Sequence, residues 1–235
     1  MNKMNPTKMY RSYSILNEFD KHNIKNGRCP DYALGWHHQN EEHWPQGHDY
    51  FIGNGQEIDY NSRELREILS KRLRNGTLTD PILFCDLDGV LADFEQGVLN
   101  KFKKDVLNIN TKLLWSVINK SETFFETLPW MPRGRELWSQ ISEFHPIILT
   151  GVPPGSATAA QQKINWCKKE LGEDVDVITC LTKEKPKYCL YKSILIDDRS
   201  DNQSNWTKEG GLFLLYEEDR LEITVGNVHR HITSL

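Results

Sequence analysis

Ile82-Leu83-Phe84-Cys85-Asp86-Leu87-Asp88-Gly89-Val90-Leu91-Ala92-Asp93-Phe94 decides how the chain is read. Four apolar residues of strand length run straight into two carboxylates at i and i+2. Both acids can reach a site at a sheet edge only if the chain leaves the extended state there, and Gly89 supplies that freedom. Like charges this close need a cation or a shared proton. A single Asp-x-Asp-Gly is often only an acidic turn, so its meaning depends on what the other strand ends bring.

After Pro81, β-rich runs alternate with helical stretches. Pro146 to Thr150, Val175 to Cys180, Ser193 to Ile196 and Leu212 to Tyr216 read as strands. Arg133 to Phe144 and Gly155 to Leu171 read as helices, with Gly172 as a stop for the second. Alternation of this kind predicts an α/β fold with a parallel sheet covered on both faces and with functional groups at the strands' carboxyl ends. There the sequence puts Thr150-Gly151 before Pro153-Pro154-Gly155, then Lys183, Lys185 and Lys187, then Asp197-Asp198-Arg199. Each is unremarkable alone. Together they offer hard oxygen ligands suited to Mg²⁺, and a hydroxyl, an amide and an ammonium suited to a phosphoryl group.

In that order, Asp86-x-Asp88-Gly89-Val90, Thr150, a downstream Lys and Asp197-Asp198 resemble the four signature motifs of the haloacid dehalogenase superfamily, from residue 81 to about 216. The wording around Asp86 to Glu95, Phe124 to Pro129, Leu181 to Lys185 and Leu195 to Arg199 is similar to the 5'(3')-deoxyribonucleotidases. The resemblance implies a Rossmann-like core with a small helical cap and a Mg²⁺-dependent phosphomonoesterase acting on nucleoside monophosphates. By it, Asp86 is the nucleophile that forms an aspartyl-phosphate, and Asp88 is the general acid and base. Asp86, Asp88, Asp198 and Asp197 would hold the metal. Thr150 and Gly151 would bind phosphate, and Lys185 would offset charge. Phe94 and Phe125 would face the base, with Arg199 also on the substrate. Gly151 stands where the subfamily usually has Ser, and the loop before Asp197 looks longer, so counting backwards selects Lys187 instead of Lys185. Alternatives from the same residues are a polynucleotide 3'-end phosphatase, which would act on nucleic-acid ends, and a non-catalytic binding module.

Residues 95 to about 130 read as the cap insertion, rich in aromatics. Residues 1 to 80 read as an extension of unknown fold, with one helix near 62–75 that is capped by Asn61 and Glu64. A core beginning after the linker Thr77 to Pro81 is expected to fold without the first 76 residues. Five of the eight histidines, His22, His37, His38, His43 and His48, lie in the extension beside Cys29. Their spacing fits no familiar zinc finger.

The whole chain has 235 residues and a net charge of -4, which predicts no general grip on nucleic acid. Its 15 Gly and 10 Pro follow no period, which excludes collagen-like and low-complexity classes. The longest apolar run, Leu212 to Tyr216, is too short for a membrane span. An odd count of five cysteines without a Cys-x-x-Cys pair predicts a reducing, cytoplasmic setting.

Overall fold

The computed structural model describes residues 62–233, together with strand residues 50–52 and 56–58. Asn61 and the histidine-rich stretch lie outside the described residues. Strands β1 (Tyr50–Ile52) and β2 (Gln56–Ile58) pair antiparallel. Helix α1 (Ser62–Asn75) follows, then β3 (Leu83–Cys85), α2 (Phe94–Phe102), α3 (Thr111–Ile118), α4 (Gly134–Ile141), β4 (Ile147–Gly151) and α5 (Ala159–Leu171). The chain continues through β5 (Val177–Cys180), β6 (Ile194–Asp197), α6 (Gln203–Lys208), β7 (Leu212–Leu215) and α7 (Leu221–Thr233).

β3 to β7 form one five-stranded sheet in the order β5-β4-β3-β6-β7, and every neighbouring pair is parallel. The fold is thus the expected α/β architecture. The chain steps outward from β3 through β4 to β5, then returns to the other side of β3 with β6. That reversal opens a crevice beyond the carboxyl end of β3, where ligands collect in such sheets. Asp86 is the first residue past that end, and its N–H donates to Ile196 O at 2.8 Å.

Residues of period 2 divide the strands between two cores. Leu83, Cys85, Ile194 and Ile196 face the side covered by α4, α5 and α7, where Leu137, Trp166 and Val225 are buried. Phe84, Ile147, Ile178 and Leu195 face the other side, against Leu65, Leu69 and Leu73 of α1 and Trp206 of α6. Helix α1 is therefore packed on the sheet, although the sequence places it in the extension. The buried Arg72 ties it down further, donating to Asp176 Oδ2 at 2.7 Å and to the carbonyls of His145 and Pro146.

The helix expected from Gly155 begins at Ala159, after Pro153, Pro154 and a Gly155 of φ 84. The one expected over Arg133 to Phe144 stops at Ile141, tightens into a 3-10 turn over Ser142–Phe144 and ends at His145 with φ 47. The insertion between β3 and β4 carries α2 and α3 over the crevice. Asp93 caps α2 by accepting the Gln96 N–H at 2.8 Å, and Asn110 caps α3 in the same way.

Candidate active site

After Cys85 the chain curls instead of continuing the strand. The Leu91 and Ala92 N–H groups both donate to Leu87 O at 2.9 Å, and Gly89 N–H donates to Ala92 O at 2.9 Å. Gly89 has φ 78, and a Cβ there would overlap the Asp198 carboxylate. A side chain at 89 would thus strain the backbone and push Asp198 out of the site. This curl turns Asp86 and Asp88 toward one place.

The ammonium of Lys185, 1% exposed, lies 2.8 Å from Asp86 Oδ2 and 2.7 Å from Asp197 Oδ2. Burial alone would lower this lysine, but the two carboxylates outweigh it and hold it above the ordinary lysine range. Lys187 instead pairs with Glu184 at 3.3 Å on the surface. The two lysines stand two residues apart in the 3-10 segment Thr182–Tyr188, where successive side chains turn by about 120°, so Lys185 points inward and Lys187 does not.

Asp86, Asp197 and Asp198 bring carboxylate oxygens within 4.8 Å of one another. Three carboxylates around one ammonium leave negative charge unbalanced. Burial, and then Asp86 and Asp197, push Asp198 up to about 7, and burial and Asp86 raise Asp197 as well. Asp86 Oδ1 and Asp198 Oδ1 are buried without a partner, whereas Asp197 has both oxygens engaged, by Lys185 and by the Arg199 N–H at 3.0 Å. Two orphaned, hard oxygens in an anionic pocket suit a divalent cation such as Mg²⁺.

Thr150 and Gly151 close β4 one strand away. A Cβ at 151 would overlap Thr182 Oγ1, so a hydroxyl from the turn after β5 occupies the room that a side chain at 151 would need. Between Thr150 and Asp88 lies a residue the sequence reading missed. Lys163 of α5 is 1% exposed, and its ammonium pairs with Asp88 Oδ2 and donates to Gly151 O at 2.6 Å and to Thr150 Oγ1 at 3.0 Å. The signal was there: Ala159, Lys163, Trp166 and Cys167 recur at i, i+4, i+7 and i+8, which puts a lysine on the buried stripe of its helix. Burial raises the Asp88 carboxyl above its ordinary value, and the Lys163 ammonium opposes that rise.

The cap supplies the far wall. Phe94 stacks on Trp115 at 5.8 Å and on Phe125 at 6.4 Å, and all three rings line the cleft with Asp88, Gly151 and Asp198. Phe125 is 2% exposed and its ring also covers Lys163, so part of its area packs the cap onto the core. Gln162 joins the same two layers, accepting the Phe125 N–H at 2.9 Å and donating to Ser121 O at 2.7 Å. Arg199 lines the cleft with its guanidinium paired to the exposed Asp201. The cleft encloses about 1460 Å³. Small-molecule sites typically span ~300–1,000 Å³, so there is room for much more than a bare phosphate. Among the described residues no helix is long and apolar enough to cross a membrane.

No family model matches this sequence, and no curated protein does. Among solved structures, the chain is similar to a hydrolase from Streptococcus pneumoniae TIGR4 at 14% identity and a TM-score of 0.39, over 67% of this chain and 100% of that one. It is also similar to a haloacid dehalogenase-like family hydrolase from Streptococcus pneumoniae, at 14% identity and a TM-score of 0.40, over 63% of this chain and 91% of that one. At this level of similarity the likeness carries no function across.

Proposed function

We propose that the protein is a Mg²⁺-dependent phosphomonoester hydrolase that works through an aspartyl-phosphate on Asp86, with nucleoside monophosphates as substrates. The observation that carries this reading is the state of Asp86: Lys185 holds one carboxylate oxygen, and the other is buried and unpartnered in the cluster with Asp197 and Asp198. A carboxylate so fixed is oriented for in-line attack on phosphorus, which splits one hard displacement into two easier ones. Thr150 Oγ1 and the Gly151 N–H bind phosphoryl oxygens, and Lys185 offsets their charge as it spreads in the transition state. Asp88 gives a proton to the leaving oxygen and later takes one from the attacking water. Asp86, Asp198 and the Asp88 carbonyl would hold Mg²⁺, with Asp197 orienting Lys185. When bound, the cation supplies charge neutralisation between the carboxylates and the phosphoryl group.

Phe94, Trp115 and Phe125 give the cleft an aromatic wall suited to stacking on a base. The outer cleft does not suit a polynucleotide. Asp93, Glu95, Asp105 and Glu218 line it, and the one basic side chain among the described lining residues, Arg199, is paired with Asp201. A chain of phosphates entering there would meet like charge. Unpartnered oxygens on Asp86 and Asp198 likewise weigh against a non-catalytic module, which gains nothing from them.

The test is hydrolysis of nucleoside monophosphates and of an oligonucleotide bearing a 3'-phosphate, with Mg²⁺ and with EDTA. Release of phosphate from the mononucleotides, abolished by EDTA and weak from the oligonucleotide, is expected. Preference for the oligonucleotide would reverse the substrate assignment. Lys185→Ala should lower kcat by ~10²-fold or more, the scale seen when one preorganised charge is removed. Lys187→Ala should change it little, and a reversed order would make Lys187 the working ammonium.

Metal binding should also depend on pH in a definite sense. The Asp198 carboxyl sits at about 7 without metal, so below that pH a proton must leave before a cation is held. Added Mg²⁺ should therefore raise Tm more at about pH 8 than at about pH 6. An equal or larger rise at the lower pH would place the cation away from Asp198.

A further inference from the structure

Lys163 has no part in the reading above, yet it is buried as deeply as Lys185. An ammonium has three protons to donate and nothing with which to accept. Here three oxygens take them: Asp88 Oδ2, Gly151 O and Thr150 Oγ1. The Phe125 ring lies 4.9 Å from the nitrogen and closes its open side. That geometry fixes the direction of two further hydrogen bonds. Asp88 Oδ2 must accept from Lys163, so any proton that Asp88 carries sits on Oδ1, which is buried and has no partner in the protein. Thr150 Oγ1 also accepts from Lys163, so its own single proton is left for another acceptor.

We propose that Lys163 is a positioning residue that assigns these roles, making Asp88 Oδ1 the proton-transfer atom and Thr150 a donor to the substrate phosphoryl group. This rests on the phosphomonoesterase reading. In the first step the bond from Asp86 to phosphorus forms, the ester P–O bond breaks and the Oδ1 proton goes to the departing oxygen. In the second, water bonds to phosphorus, the bond from Asp86 breaks and a water proton returns to Oδ1. The sum is ester plus water giving alcohol plus phosphate. Without Lys163 the Asp88 carboxyl can present either oxygen, and the Thr150 hydroxyl can turn back to the Gly151 carbonyl.

The experiment uses the full chain with Lys163→Met, which keeps the length of the side chain and removes the donors. A nucleoside 5'-monophosphate needs a proton on its leaving oxygen, whereas p-nitrophenyl phosphate scarcely does. We expect kcat to fall by ~100-fold or more on the first and ~10-fold or less on the second, with Lys163→Arg recovering part of the loss. Equal losses on both substrates would overturn the proposal and leave Lys163 a packing residue. A stability cycle of Lys163→Met and Asp88→Asn, read by thermal unfolding, needs no turnover. The Asp88 substitution should shift Tm differently when Lys163 is absent, and strict additivity would also overturn it. If the wild type hydrolyses neither ester, the phosphomonoesterase reading has failed, and the cycle alone decides whether Lys163 holds Asp88.

Discussion

Asp86→Asn is expected to fold like the wild type and to lose turnover by ~10⁴-fold or more, since removing a nucleophile that works as one unit with its partners costs that much. An amide is isosteric with the carboxylate but cannot attack phosphorus. Its oxygen can still accept from Lys185, so the site should not collapse, although some charge around the lysine is lost. The measurement is kcat on p-nitrophenyl phosphate with Mg²⁺, beside the thermal unfolding curve. A folded variant that turns over like the wild type would remove Asp86 from the chemistry and with it the covalent mechanism.

The second large effect concerns the start of the foldable unit. A chain beginning at residue 77 loses α1, and with it the Leu65, Leu69 and Leu73 side chains that cover Phe84, Ile147 and Ile178. Burying a leucine contributes ~1.5–3 kcal/mol. Three of them are comparable with the ~5–15 kcal/mol that separates a whole domain from its unfolded state. Loss of the Arg72 contacts also leaves Asp176 without its closest cation. That shorter chain should be insoluble or lack a cooperative unfolding transition. A chain beginning at residue 60 should retain one. A stable, cooperative protein from residue 77 onward would mean that the covering helix is dispensable and that the boundary lies near residue 80.

Why α1 reads as an appendage is physically plain. Its apolar positions follow the helical period, and its end at Asn75-Gly76 is legible, but period says only that one face is buried and not against what. The strands were legible because four of the five are nearly continuous apolar runs, as strands covered on both faces must be. Their carboxyl ends could be named for the same reason. Asp86, Asp88, Thr150, Gly151, Lys185, Asp197 and Asp198 meet there because a parallel sheet delivers all its strand ends to one edge.

What the sequence hides is everything that reaches that edge from a helix or turns away from it. Lys163 arrives from α5, one turn inside a stretch that also carries Lys168 and Lys169, and composition alone does not distinguish a buried lysine from solvated ones. Thr182 is placed by the absence of a side chain at Gly151, a relation across two strands. Arg199 follows a paired acid directly, yet the chain turns at that point and its guanidinium finds Asp201 two residues on. Phe125 has a double position, at once cleft wall and cap packing, because the cap must bury aromatic surface to stay closed over the core.

The proposed mechanism requires a phosphoryl group carried by Asp86. Asp88→Asn should slow the second step, in which water must be activated, while still allowing attack on an activated ester. After brief reaction of that variant with p-nitrophenyl phosphate and Mg²⁺, quenched in acid, intact-mass analysis should show the mass of one added phosphoryl group. Peptide mapping should place it on Asp86, and Asp86→Asn/Asp88→Asn should stay unmodified. An unmodified Asp88→Asn that still releases nitrophenol over many turnovers, or a phosphoryl group on any other residue, would contradict the mechanism.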